Sequence, residues 1–351
     1  MFFKSHIEPN GAIDEYYNTT ILLDAGYNVV LPLHVVREPT RQIAFYPKVL
    51  WPVIFDLARQ IERGEPSDIA ASKMLDVEKA ECGRLLGIYR STALRSSPEV
   101  NAKAPVHQLF WHRLVNRFQR FYGSAELTAT DGQIAAMPQL LAADWTINSV
   151  EQPRTLGQLM NEAQRVLDPE QPALTAIGHG DAHYGNVFLE SQKDFLYFDP
   201  AFAGRHSPLL DVAKPLFHNV FAQWMYFPKE SDAEGSMAVN VGEGHIDVEY
   251  SSSLPPLRQG ILDIKRGSLI QPLAAWLEDE GGLTSGLRPL ELALMCCSLL
   301  TMNLADKSRF PGSVGWFGMA LAVQMGNWDV EQVLPSPDTD RAASLLSRGS
   351  N

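Results

Sequence analysis

From Trp51 onward, apolar positions recur at three- and four-residue spacing, which predicts a mostly helical chain. Phe55, Leu57, Ala58 and Ile61 form one helical face, and residues 69–94 give a long amphipathic run. Residues 106–122 place aromatics, His and Arg at helical spacing, as a core face with a wet flank or as the wall of a substrate site. A helix over 156–167 opens at Thr155, and further helices are predicted through about 256–279, 288–305 and 314–326. The first fifty residues read differently. Phe2-Phe3-Lys4 is the stub of a strand, and Asp14 to Asn18 lead into a short helical pattern that Gly26 stops. Residues 28–36 and 42–46 read as two strands joined by a polar turn around Glu38-Pro39-Thr40. Alternation over 237–241 and 245–250, around Gly242-Glu243-Gly244, predicts a hairpin.

Composition narrows the class. Hydrophobic residues make up 45% and charged residues 20% of 351 positions, as expected of a globular chain long enough for two unequal lobes. Lys+Arg 29 against Asp+Glu 41 gives a net charge of −12, which argues against nucleic acid as main partner and leaves room for a neutral or cationic small molecule. Cys82 stands alone and Cys296-Cys297 sit in an apolar run, so no disulfide framework is expected. Neither a signal-peptide core nor about 18 uninterrupted apolar residues is present, and the expectation is a cytoplasmic protein without a membrane partner.

The chemistry concentrates between 177 and 213, IGHGDAHYGNVFLESQKDFLYFDPAFAGRHSPLLDVA. Asp181 and Asn186 lie five apart in a glycine-interrupted loop. The strands expected at 187–189 and 195–198 form a hairpin that returns Asp199 beside Asn186. A carboxylate facing an amide makes an oxygen-rich site suited to Mg²⁺, and Asp181 stands where it can hold a hydroxyl nucleophile. His179, Asp181 and His183 also invite a metallohydrolase reading, but residues two apart point the same way only in an extended strand. Taken as an ordinary polar loop, the same Asp and Asn residues would simply cap turns.

HGDAHYGNV resembles the HGDLHPGN catalytic loop of the aminoglycoside phosphotransferase family, with Tyr184 in place of the common Pro. That family comprises small-molecule kinases of the protein-kinase-like fold, akin to choline, homoserine and fructosamine kinases. FDPAFAG (198–204) resembles its metal-binding segment, and Leu210-Asp211-Val212-Ala213 resembles the D-L-A that opens its next helix. The resemblance implies an α+β, two-lobed fold: a small truncated β-containing N-lobe (1–47), a large helical C-lobe (48–335) with the catalytic loop at 178–186, and a polar tail (336–351). It implies ATP- and Mg²⁺-dependent transfer to a hydroxyl of an aminoglycoside, amino-sugar or amino-alcohol-like acceptor. Asp181 would be the catalytic residue, Asn186 and Asp199 would hold Mg²⁺, and His179 and Asp211 would support the loop. Gly180 stands where regulated protein kinases carry an Arg, and the Asp199–Asp211 link is too short for a long activation loop. A small-molecule kinase is therefore favoured over a protein kinase.

In the N-lobe the resemblance implies Lys4 as the phosphate lysine, Glu15 as its helix partner, and Phe45 and Tyr46 in the hinge beside adenine. Lys48 is the alternative lysine. Only three residues precede Lys4, so two strands and a glycine-rich loop are expected to be missing. Three explanations follow: a shortened lobe, a protein partner that completes it, or a pseudokinase or binding module that keeps the fold without turnover. Trp224, Tyr226 and the 237–250 hairpin are expected near the acceptor, while Lys214 and His218 face either the cleft or the surface. His183 either packs or touches substrate.

Overall fold

Met74, Val77, Cys82, Leu85, Leu86, Ile88 and Tyr89 make the buried stripe that sets the longest helix, Ala71–Thr92. Glu78 and Glu81 lie in the same stripe, equally buried. In the computed structural model, the structure describes residues 2–6, 19–38, 41–130, 132–234, 237–251, 253–281, 286–311 and 313–328. The protein is α+β, with helices dominant and the strands spread over several small sheets.

The N-terminal sheet has three antiparallel strands in the order Phe2–His6, Arg41–Tyr46, His34–Glu38, with Lys4 in register opposite Ala44. The helix expected before Gly26 is Thr19–Ala25, and Gly26 ends it at φ 99°, a backbone region that suits glycine. Glu15 lies outside the described residues, as does the polar tail.

Of the strand expected over 28–36, only the last three residues join the small sheet, in the strand His34–Glu38. Pro32 brings no amide hydrogen to a ladder. The preceding residues instead pair with the hairpin: Val30 N–H donates to Tyr197 O at 2.8 Å, and Tyr197 N–H donates to Asn28 O at 2.8 Å. On the other hairpin edge, Leu189 N–H donates to Pro52 O at 2.9 Å. Both edges of the hairpin, Val187–Glu190 with Asp194–Tyr197, are therefore covered by the segments that enter and leave the small sheet. A small apolar cluster of Val30, Ala44 and Tyr46, with Val35, Phe188, Leu196 and Phe198 against it, fills that junction. Phe188 and Phe198 stack at 4.4 Å.

The main core runs through the helical body. Ala173–Gly178 is the central strand of a sheet with Leu94–Ser96 and Gly204–His206, and it delivers the chain into the loop beginning at Gly178. Before that strand, Thr155 and Gln158 cap the helix Leu156–Val166 reciprocally, in keeping with the start predicted at Thr155. The 237–250 hairpin forms and continues into a four-stranded sheet through a parallel pairing with Asp144–Ile147. The helix expected to reach 305 ends at Leu300. Among the described residues, three helical runs contain π-helical turns, Arg113–Arg117, Phe217–Phe221 and Arg266–Ile270. The second follows Pro215, whose ring removes a donor from the helix Pro208–Leu216. Among the described residues, no helix is long and apolar enough to cross a membrane.

Candidate functional site

Residues 178–186 leave the central strand as a loop whose polar groups are fixed one by one. Gly180 N–H donates to Asp211 Oδ1 at 2.6 Å. Asp211 is itself buried, accepting from Tyr89 Oη at 2.6 Å and lying 2.9 Å from His206 Nε2. Burial alone would raise its carboxyl pKa, but His206, Tyr89 and the Gly180 amide together bring it below the ordinary value. The glycines make room for this. A Cβ on Gly178 would stand 2.5 Å from Asp211 Cγ, and one on Gly180 would stand 2.5 Å from Phe202 O, at a φ of 77°.

His179 is completely buried and ties the loop to the segment before Asp199. Its Nδ1 accepts from Asp181 N–H at 3.3 Å, which leaves Nε2 to donate to Phe198 O at 3.0 Å. Burial keeps the ring neutral by lowering its pKa. Both nitrogens are thus engaged within the protein, so His179, Asp181 and His183 do not converge as metal ligands. Among the described residues, no group of three or more His, Cys, Asp and Glu side chains could hold a metal ion.

Asn186 Nδ2 donates to Asp181 O at 3.0 Å, and Phe198 N–H donates to Asn186 O at 3.1 Å. The structure therefore brings Asp181, Asn186 and the Phe198–Asp199 corner together. Asp199 sits in the left-handed region at φ 56°, a strained conformation for a residue with a side chain and one that recurs at functional positions. Tyr46 is buried close by: burial first, and then the charge of Asp199, push its hydroxyl pKa well up. Phe45 is half-buried beside His34, with ring centroids 6.1 Å apart. Lys4 is placed only by its register position, and Lys48 is exposed.

Lys214, which the sequence left between cleft and surface, is buried against Asp181. Its Nζ lies 2.6 Å from Asp181 Oδ1, as an ion pair without hydrogen-bond alignment, with side-chain exposures of 7% and 16%. Burial would raise the Asp181 carboxyl, but Lys214 foremost, then His183 and His218, hold it well below the usual carboxylate range. His183 Nε2 is 3.6 Å from the same Oδ1, and its Nδ1 accepts from Gly185 N–H at 3.1 Å. His218 is buried, bonded at 2.6 Å to Tyr226 Oη, with its ring 5.5 Å from that of His183 and tilted 50° to it. Tyr226 therefore belongs to this cluster. Trp224 and Tyr250 instead line a cavity of about 600 Å³, with Phe221, Phe317 and Trp328, whose wall includes neither Asp181 nor His218.

The Ala71–Thr92 helix supports the site from below. Glu78 Oε2 accepts from Tyr184 Oη at 2.7 Å, Glu81 Oε1 accepts from Tyr197 Oη at 2.5 Å, and Tyr89 reaches Asp211. Lys265 Nζ completes Glu78 at 2.5 Å. One helical face thus holds the loop, the hairpin and the buttressing carboxylate. Sequence reading passed over Glu78 and Glu81, although two acids inside an apolar stripe were the visible signal.

No family model matches the chain, and no curated protein matches it either. The family resemblance rests on the loop, hairpin and helix residues themselves.

Proposed function

We propose that this protein is an ATP- and Mg²⁺-dependent phosphotransferase acting on a hydroxyl of a small molecule, with a two-lobed, protein-kinase-like arrangement of its small sheet and helical body. The observation that carries the reading is the Asn186 side chain bonded to the Asp181 carbonyl, with Asp199 tethered to Asn186 through the Phe198 amide. That bond uses the amide nitrogen of Asn186 and leaves its side-chain oxygen. Together with the Asp199 carboxylate it offers two hard oxygen donors, a set that fits Mg²⁺, which binds through few protein groups, water and substrate phosphates. When bound, the ion neutralises charge developing on the nucleotide phosphates.

The transfer forms a bond from acceptor oxygen to γ-phosphorus as the bond from phosphorus to ADP breaks. Asp181 orients the attacking hydroxyl and takes its proton. A carboxylate held so low by Lys214 is a weak base, so orientation comes first and proton transfer late. The apolar junction of Val30, Ala44, Tyr46 and Phe188 is a suitable wall for adenine. Release of ADP across a panel of hydroxylated acceptors tests this. Turnover is expected with wild type and lost in Asp181→Asn, and Lys4→Ala is expected to weaken nucleotide binding.

The Lys214–Asp181 contact also suits a second reading, a binding module that keeps the fold. Its signature is nucleotide binding without ADP release for any acceptor.

A further inference from the structure

Arg113 is 4% exposed, yet among the described residues it meets no carboxylate. Its Nη1 lies 3.9 Å from Cys297 Sγ, its guanidinium stands 5.7 Å from the Phe110 ring, and its Nε has no hydrogen-bond partner. A buried guanidinium without a counter-ion is costly, and natural chains seldom keep one unless an anion arrives from outside.

Its position says which anion. Arg113 opens a π-helical turn, a local distortion frequent at functional sites. That turn, the His218-bearing turn and the Lys214-bearing helix all pack on the helix Arg288–Leu300, which carries Cys297. Arg113 therefore shares its packing helix with the elements that carry Lys214, paired with Asp181, and His218, whose ring lies beside that of His183, whereas Asn186 and Asp199 flank the hairpin. Lys214 is already matched by Asp181, so Arg113 is a surplus positive charge in a chain of net charge −12. A polycationic aminoglycoside would meet repulsion there.

We infer that the acceptor carries an anionic group, carboxylate or phosphate, which Arg113 receives while the acceptor's hydroxyl lies at Asp181. A planar guanidinium fork matches either anion in a bidentate way. The inference rests on the phosphotransferase reading only for naming the bound anion as acceptor.

Calorimetric titration of the full chain with D-glycerate, glycerol 3-phosphate and kanamycin tests it. At least one of the two anions is expected to bind saturably, and the one that binds distinguishes carboxylate from phosphate. Arg113→Met should weaken that binding about tenfold or more, while the melting temperature stays unchanged or rises because an uncompensated buried charge is gone. Arg113→Lys should recover part of the affinity. Binding of neither anion, equal binding to Arg113→Met, kanamycin binding in their place, or a lowered melting temperature in Arg113→Met would each overturn the inference. Anion binding without any Mg-ATP binding would instead sink the phosphotransferase reading and leave the anion site standing.

Discussion

Lys214 Nζ lies 2.6 Å from Asp181 Oδ1, in a contact nearly closed to solvent. Removing one member of a buried ion pair leaves the other charge uncompensated. Lys214→Met and Asp181→Asn should each lower unfolding free energy by about 3 kcal/mol. The double variant should lose clearly less than the sum, because neither charge is then stranded. Urea denaturation of the four proteins reads this directly, and strict additivity would show that the pair is not coupled. The Asp181 carboxyl is depressed, so its contribution is complete above about pH 4 and is lost only as pH falls further.

Tyr184, Glu78 and Lys265 predict a graded series. Tyr184→Phe removes one hydrogen bond to a charged group and should cost about 1.5–3 kcal/mol. Glu78→Gln strands the Lys265 ammonium in the core and should cost more, about 3–5 kcal/mol. Adding Lys265→Met to Glu78→Gln should return part of that loss. Chemical denaturation ranks the three, and an inverted order would mean that the pair contributes less than the hydroxyl.

Four buried or mostly buried histidines make the protein sensitive to mild acid. Burial lowers the pKa values of His179, His183 and His218, and takes His107 down to about 3. A base with a depressed folded pKa binds its proton in the unfolded chain first. Stability is therefore complete above the unfolded value near 6.5 and falls as pH drops below it, by up to about 1.4 kcal/mol per pH unit for each histidine. The urea midpoint should fall steadily from pH 7 to pH 5. His107→Gln should flatten the slope, since His107 Nε2 accepts from Ser207 N–H at 2.9 Å, a role that an amide oxygen can take over without titrating. A midpoint constant across that range would contradict these assignments.

Periodicity made the helices legible because burying a stripe is what holds each one in place. The long helix at Ala71–Thr92 and the capped helix after Thr155 follow from pattern alone. Residues 28–30 do pair with a strand, but with Tyr197 of the hairpin rather than within the small sheet, because that partner lies far along the chain and apolar residues beside a proline look the same in either setting. The π-helical turns leave no periodic trace over five residues. In the site, the juxtaposition of Asp181, Asn186 and Asp199 was foreseeable from a loop followed by a hairpin. The ties that hold it were not: His179 to Phe198, Tyr184 to Glu78 and Lys214 to Asp181 all join residues from different elements. Tyr184, which stands where the loop pattern commonly has Pro, is explained by the buried acid that accepts its hydroxyl's hydrogen bond.

The most direct test of the phosphotransferase account is calorimetric titration of ATP into the full chain, with and without Mg²⁺. The account predicts saturable, Mg²⁺-dependent binding that falls about tenfold or more in Asp199→Asn and in Asn186→Ala. Absence of Mg-ATP binding to the folded wild type, or binding that both substitutions leave unchanged, would contradict it.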